Sequence, residues 1–121
     1  MASTSAAQAQ ADLVSLVRGS SLPSGIAKVS DGEPATPIDG TAAVYYLDDD
    51  ADFFRYVVAA YVRVSDAADA QARMLAMRDA LDERLNTSAQ FGPSGWSREF
   101  DRETATLRII TVVSTGRQDY Y

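Results

Sequence analysis

The sequence predicts an α+β domain in which a mixed or antiparallel sheet of four to five strands packs against a central helix and an N-terminal helix. The 121 residues are 46% hydrophobic and 23% charged, which is typical of one globular domain spanning residues 1–121. Apolar residues recur at helical spacing in two segments, and β-branched and aromatic residues concentrate in others. The segments follow the order α-β-β-β-α-β-β, and strands that bracket a central helix favour such a sheet.

The first helix is predicted to follow capping hydroxyls at residues 3–5 and to run to about Arg18, with residues 1–7 as a flexible arm. Its apolar positions have helical spacing: Leu13, Leu16 and Val17. Residues 22–40 hold three of the four prolines and are predicted to be mostly loop, with a short strand around residues 26–29.

Two strands, residues 42–47 and 53–64, are predicted on either side of an acidic turn at residues 48–52. The even positions of the longer strand are all apolar: Phe54, Tyr56, Val58, Ala60, Val62 and Val64. Its odd positions mix apolar residues with arginine. One face of this strand is therefore predicted to form the core, and the other face is mixed.

The central helix is predicted to start at the cap Ser65-Asp66 and to run to about Leu85, followed by a loop at residues 86–95. Its buried stripe is Ala67, Ala70, Met74, Met77, Leu81 and Leu85. A hairpin of residues 96–100 and 106–113 closes the domain, and residues 115–121 form a C-terminal tail. The predicted core is Phe54, Tyr56, Val58, Val62, Met74, Met77, Leu81, Leu107 and Ile109.

The mixed face of the sheet carries too many apolar residues to be left in water. They are Val57, Tyr61, Ile110 and Val112. The first helix can cover part of this face, and a partner subunit is the other candidate, because such patches usually mark contacts.

The composition argues against several functions. There is no Cys and no His, so disulfides, thiolate sites and the usual general base are excluded. The net charge of −6 disfavours free attraction to nucleic acid or to an anionic membrane. Apolar runs are too short for a membrane helix, and residues 1–10 do not resemble a secretory signal, so we expect the host cytoplasm. We expect no enzyme activity and no cofactor.

Acidity is concentrated between residues 31 and 52, which contain seven acids and no base, whereas the rest of the chain has ten acids and eleven bases. Alternating aspartates at 48, 50 and 52 resemble the start of an EF-hand loop. However, Phe53 occupies the glycine position and Ala59 the position of the bidentate glutamate. We therefore predict a solvated acidic turn that binds no metal specifically; weak cation binding and electrostatic docking onto a basic partner ring are the alternatives.

Other residues offer weaker signals for chemistry. The closing hairpin carries three alternating carboxylates, Glu99, Asp101 and Glu103. Paired carboxylates hydrolyse glycosides, but interleaved arginines favour an exposed charged hairpin. Ser24 and Lys28 lack a third group that would make them a nucleophile pair. Trp96 is expected in the core or at an interface, with base or sugar stacking as the alternative. We predict no catalytic and no metal-binding residue.

Several segments carry a family resemblance. They are the helix end Leu16-Val17-Arg18, the Pro/Gly loop, the strand from Phe53 to Val64, the Ser65-Asp66 cap with its Ala-rich helix, the pair Gly95-Trp96 and the strand from Leu107 to Val113. In the order of its elements and in the kinds of residues along them, most of residues 8–114 resembles the tail terminator (tail completion) proteins of long-tailed bacteriophages.

The resemblance implies a ring, usually a homohexamer, that caps the last ring of the tail tube and stops its polymerisation. Its partners are then the chain itself, the tail tube protein and the head-completion or connector protein. DNA passes through the lumen without specific binding, and no membrane is involved. The implied location is the virion neck at the head-proximal end of the tail. The acidic stretch at residues 39–52 either lines the lumen and repels DNA or faces a basic ring.

We expect the interface residues to be Asp48, Asp49, Asp50, Asp52, Arg55, Tyr61, Arg63, Tyr120 and Tyr121. The two tyrosines of the tail have no motif of the family behind them, and we infer their docking from composition. Two alternatives stay open. One is another neck or minor tail subunit, such as a head–tail connector; the other is a small ferredoxin-like domain that binds a ligand between sheet and helix.

Overall fold

Two helices lie on one side of a five-stranded sheet in the computed structural model, which describes residues 5–120. The elements are α1 (Ser5–Arg18), β1 (Lys28–Asp31), β2 (Thr41–Asp49), β3 (Phe53–Arg63), α2 (Ala67–Leu85), β4 (Gly92–Asp101), β5 (Thr106–Gly116) and a 3-10 helix (Arg117–Tyr120). The predicted α+β class and the predicted element order are confirmed. In residues 5–120, neither helix is long and apolar enough to cross a membrane.

The sheet is mixed, with the strand order β1-β2-β3-β5-β4. Only β1 and β2 pair in parallel, and the other three pairs are antiparallel. β3 lies in the centre, and each of its residues from Phe53 to Arg63 has a partner in β5. Since β4 lies outside β5, α2 connects the central strand to the exposed edge strand.

The core fills the space between the helices and one face of the sheet, and every residue of the predicted core is buried there. α1 contributes Ala9, Leu13, Val14 and Val17 to this same core. The expectation that α1 covers part of the second sheet face is therefore wrong. Trp96 packs at the margin of the core, and its indole N–H donates to Asp82 at 3.0 Å.

Local chemistry explains where the helices begin and end. The side chain of Asp66 accepts a hydrogen bond from the backbone N–H of Asp69 at 2.8 Å, which caps α2 as predicted. α1 ends at Gly19, whose φ of +59° is costly for other residues. The guanidinium of Arg84 donates to the carbonyls of Val17 and Ser21 at 2.9 and 3.0 Å, so α2 caps the end of α1.

Element bounds differ from the prediction at several places. β1 lies at Lys28–Asp31 and not at residues 26–29, and β2 extends to Asp49, so the first two residues of the predicted turn belong to the strand. β4 begins at Gly92, inside the predicted loop, and tolerates Pro93 because it is an edge strand with a bulge between Pro93 and Trp96. α1 begins at Ser5, so residues 5–7 are helical and do not belong to an arm. β5 extends to Gly116 and continues into the 3-10 helix, so residues 115–120 are ordered secondary structure. Residues 1–4 and Tyr121 lie outside the described residues.

Truncation of a buried leucine of α2 should destabilise the domain far more than truncation of an exposed one. Leu81 is 0% exposed and Leu75 is 41% exposed. We expect Leu81→Ala to lower the free energy of unfolding by about 2–5 kcal/mol, because it leaves a cavity. The matched control Leu75→Ala should change it by less than about 0.5 kcal/mol. Urea denaturation at low protein concentration measures both, and equal losses would contradict the assignment of the two helix faces.

Candidate interaction surfaces

The turn between β2 and β3 is closed by its own aspartates. We call residues 46–55 the hairpin tip. One carboxylate oxygen of Asp50 accepts hydrogen bonds from the backbone N–H groups of Asp52 and Phe53, at 2.8 and 2.9 Å. This local bonding favours aspartate at the turn for structural reasons. A bulge between Tyr46 and Asp48 shifts the register of the strands just before the turn.

Two arginines form ion pairs with the aspartates of the hairpin tip. Arg55 of β3 forms ion pairs with Asp48 and, at 2.8 Å, with Asp50. Arg117, which lies 68 positions from Asp49 in sequence, pairs with it and donates to the carbonyl of Asp50 at 2.9 Å. Four aspartates and two arginines thus leave the tip with a net negative charge. In residues 5–120, no three potential ligands come together in a way that could hold a metal ion.

The hydrogen bond from Arg55 holds the pKa of Asp50 down, to about 2, and the backbone N–H groups of Asp52 and Phe53 add to this effect. The carboxylate of Asp50 therefore remains ionised near neutral pH. It stabilises the turn and is a poor proton donor.

Exposed apolar side chains stand beside the charges of the hairpin tip. Tyr46, Leu47 and Phe53 are 45%, 45% and 46% exposed. The hydroxyl of Tyr46 donates to Asp49, and this hydrogen bond holds the Tyr46 ring beside the acidic side chains. Apolar side chains flanked by negative charge form a surface suited to a basic protein partner.

The sheet face away from the helices, called the open face below, has a small buried centre. Ala43, Val57, Ala59 and Tyr61 form a second apolar cluster, with Tyr45 and Ile110 partly buried at its margin. The guanidinium of Arg108 donates to the hydroxyl of Tyr45 at 3.3 Å and also pairs with Glu99. Because Tyr45 is on β2 and Arg108 on β5, this bond spans β3 at the small side chain of Ala59.

The crossover loop at residues 32–40 closes one end of the open face. Two half-buried prolines of this loop lie near Tyr61, which is only 2% exposed, and its burial raises its pKa to about 12. Tyr61 was expected at an interface, but the structure places it under its own chain. Beside it is a cleft with a cavity volume of about 290 Å³. The cleft is lined by Glu33, Pro34, Pro37, Tyr61, Glu99, Phe100, Asp101, Thr106 and Arg108.

The remaining predicted interface residues lie at opposite ends of the sheet. Arg63 ends β3 at the end far from the hairpin tip. Its backbone N–H donates to Asp39 at 2.8 Å, and its side chain is exposed without an ion pair among the described residues. Asp39 pairs with Arg73 of α2 at 3.1 Å. The structure therefore groups Asp48, Asp49, Asp50, Asp52 and Arg55 but leaves Arg63 apart from them.

Tyr120 is held by its own chain. Its hydroxyl donates to Asp12 at 2.9 Å and accepts from Gln90, and its backbone carbonyl accepts from Ser5 at 3.0 Å. Its ring meets the edge of Phe54, with the ring centroids 6.4 Å apart. These contacts join the C-terminal segment to α1. Tyr121, also predicted at an interface, lies outside the described residues.

Sequence reasoning missed several residues of these surfaces. Arg108 and Arg117 were not singled out, and only their positions at the ends of the last strand could have drawn attention to them. Leu47 lies in β2 as predicted, but its exposure was not foreseen, because no local pattern signals the bulge that follows Tyr46.

Removal of the Tyr120 hydroxyl should cost stability, whereas removal of the Tyr46 hydroxyl should not. We expect Tyr120→Phe to lower the free energy of unfolding by about 1 kcal/mol, because it leaves Asp12 and Gln90 without their part-buried partner. The same change in the exposed Tyr46 should stay within about 0.5 kcal/mol. Chemical denaturation compares the two, and equal effects would contradict the docking of the C-terminal segment.

The titration of Asp50 should depend on Arg55. By carboxyl-detected NMR we expect a midpoint near the pKa of about 2, and Arg55→Gln should move it upward toward the ordinary value. A folded-state pKa below the unfolded value stabilises the fold above the unfolded pKa, and this contribution is lost as the pH falls toward 2. Asp50→Asn should remove this acid-sensitive contribution to the free energy of unfolding. An ordinary titration midpoint for Asp50 in the unaltered chain would contradict the ion pair.

Neither protein-family models nor curated protein sequences match this chain. The resemblance to tail terminators therefore rests on element order and texture. The shape and charge of the hairpin tip and of the open face therefore indicate which partners these surfaces could bind.

Proposed function

We propose that this chain is a structural virion protein of a long-tailed phage: a tail terminator that forms a ring on the tail tube. In this role it joins the tube to the head-completion or connector complex. The resemblance stated for residues 8–114 supports the proposal, and the observed order of helices and strands is compatible with it. The role needs no cofactor and no catalytic residue, in keeping with a chain that contains neither His nor Cys.

The observation that carries the proposal is the one-sided layering of the sheet. Both helices cover one face, while the open face keeps partly buried apolar residues, Ile110 and Val112 among them, with only a loop across one end. The two sides of the domain therefore differ. Contacts between unlike surfaces of identical subunits are heterologous, and such contacts form closed rings when the rotation between subunits closes.

The hairpin tip supports an additional contact along the direction of the strands. It lies at one end of the sheet and combines Tyr46, Leu47 and Phe53 with net negative charge. A basic surface on the tail tube or on the connector complements it. The net charge of −6 also suits a ring through which DNA passes without specific binding.

Another neck or minor tail subunit would use the same two surfaces, so its location in the virion separates it from a terminator. A ferredoxin-like ligand-binding domain was expected to hold its ligand between sheet and helix. The cleft near Tyr61 lies instead on the open face, so this observation favours contacts at the open face over that alternative.

Native mass spectrometry at several concentrations, with and without isolated tail tubes, tests the proposal. We expect a sixfold species alone or on tubes, and negative-stain images of gold-labelled protein should show it only at the head-proximal end. A chain that stays monomeric and binds no tubes would overturn the proposal. Label elsewhere in the neck or tail would favour the other virion role.

Weakening the hairpin tip should reduce binding to the partner ring without dissolving the ring itself. The double variant Leu47→Ser/Asp52→Asn removes one exposed apolar side chain and one charge of the tip. The matched control Leu22→Ser/Asp31→Asn makes the same kind of change elsewhere. We expect at least about tenfold weaker tube or connector binding only for the tip variant. Equal binding by both variants would contradict this use of the tip.

A further inference from the structure

The cleft beside Tyr61 lies at the end of the open face that is far from the hairpin tip. The crossover loop, β3 and the β4–β5 hairpin form its walls, with Glu33, Tyr61 and Glu99 among the lining residues. Its volume of about 290 Å³ is at the lower limit of the cavities that hold drug-sized ligands, which span roughly 300–1,000 Å³. The cleft therefore suits one or two amino-acid side chains.

The lining of this cleft is negatively charged. Three carboxylates line it, those of Glu33, Glu99 and Asp101. The one guanidinium of the lining, that of Arg108, is already paired with Glu99. The carboxylate of Asp101 accepts a hydrogen bond from a backbone N–H of its own turn at 2.9 Å, and neither Asp101 nor Glu33 has an ion pair among residues 5–120. Two carboxylates of the cleft therefore remain without a counter-charge.

Tyr61 brings a hydrogen-bond donor to the same cleft. Its side chain is 2% exposed, and burial raises its pKa to about 12, so the hydroxyl stays protonated near neutral pH. The group that faces this hydroxyl is the guanidinium of Arg108, which can only donate. The hydroxyl proton therefore has no acceptor in the part of the chain that the structure describes, and a buried donor without an acceptor costs free energy.

We propose that this cleft binds an arginine or lysine side chain that is presented by an extended segment of a partner protein. The cation lies between the carboxylates of Glu33 and Asp101. The aliphatic stem of the bound side chain packs on Pro34 and Pro37. A backbone carbonyl of the segment accepts the hydroxyl proton of Tyr61. The site goes beyond the proposed function, because it requires no ring.

The combination of unpaired carboxylates with a donor that lacks an acceptor decides the class of ligand. A free amine or an inorganic cation supplies positive charge but offers Tyr61 no acceptor of its own. Nucleic acid and anionic lipid offer acceptors, but the carboxylates of the cleft repel them. A peptide segment with a basic residue supplies both the cation and the carbonyl. Because the cleft and the hairpin tip lie at opposite ends of the strands, the two sites bind independently.

Amide NMR of the full chain, titrated with the blocked tripeptide Gly-Arg-Gly at low salt, tests the site. We expect shifts that centre on the lining residues and that shrink as salt is added, because the carboxylates of Glu33 and Asp101 are exposed. The tripeptide with citrulline in place of arginine has no positive charge and should bind at least about fivefold more weakly. Agmatine, which keeps the guanidinium but has no peptide carbonyl, should also bind more weakly than the arginine tripeptide.

Variants separate the parts of the site. Glu33→Gln/Asp101→Asn should weaken binding of the arginine tripeptide at least about fivefold. The matched control Asp69→Asn/Glu103→Gln removes two exposed carboxylates that do not line the cleft and should leave binding unchanged. Tyr61→Phe should weaken binding of the tripeptide but not of agmatine. It should not lower the midpoint of urea denaturation, because the hydroxyl proton loses no acceptor.

Equal binding of the arginine and citrulline tripeptides, or equal losses in the two double variants, would overturn the cation site. Agmatine that binds as tightly as the tripeptide would overturn the assignment to a protein segment and indicate a site for small cations. Absence of shifts at the lining residues would overturn both. Circular dichroism checks that each variant is folded. The hairpin-tip variant Leu47→Ser/Asp52→Asn should bind the tripeptide normally, so failure of this site leaves the proposed function standing.

Discussion

The alternation of side chains along β3 is the constraint on which the rest of the structure depends. Its even positions are apolar without exception, so one face of the central strand has to be buried, and both helices are recruited to that face. The odd positions then fall together on the other face, where one valine, one alanine and one tyrosine lie between Arg55 and Arg63. A single strand thereby decides which side of the sheet becomes core and which side stays available.

Much of this fold is readable from local patterns, because burial repeats every second residue in a strand and every third or fourth in a helix. That periodicity predicts the buried stripe of α2 from Ala70 to Leu85 and core residues such as Ile109 of β5. The first residue of the predicted stripe, Ala67, is exposed because it lies at the start of the helix. The placement of α1 and the fate of Tyr61 depend instead on tertiary structure. The loop that covers Tyr61 precedes it by more than 20 residues, and its prolines give no indication of the face on which they lie.

The residue types of the candidate surfaces could be predicted from the sequence, but the extent to which their charges neutralise one another could not. The acidic turn was recognised because its charges are adjacent in sequence, whereas the arginines that neutralise part of it come from β3 and from the 3-10 helix that follows β5. This pairing changes the physical character of the hairpin tip. A fully ionic turn would attract any basic surface over a Debye length. Binding by a partly neutralised turn beside exposed Leu47 and Phe53 depends more on direct contact. It therefore favours a partner surface of complementary shape.

The open face combines a shielded apolar centre with a charged border. Its small centre, around Ala59, is shielded by Tyr45 and Arg108 of the same chain, so little of the most apolar surface meets water before assembly. The uncovered remainder is bordered by charges of both signs, among them Arg63, Arg108 and Glu99. Surfaces of this kind bind through complementarity of charge and shape more than through bulk hydrophobicity. Association is therefore expected to be selective for a partner whose shape and charge pattern complement this face.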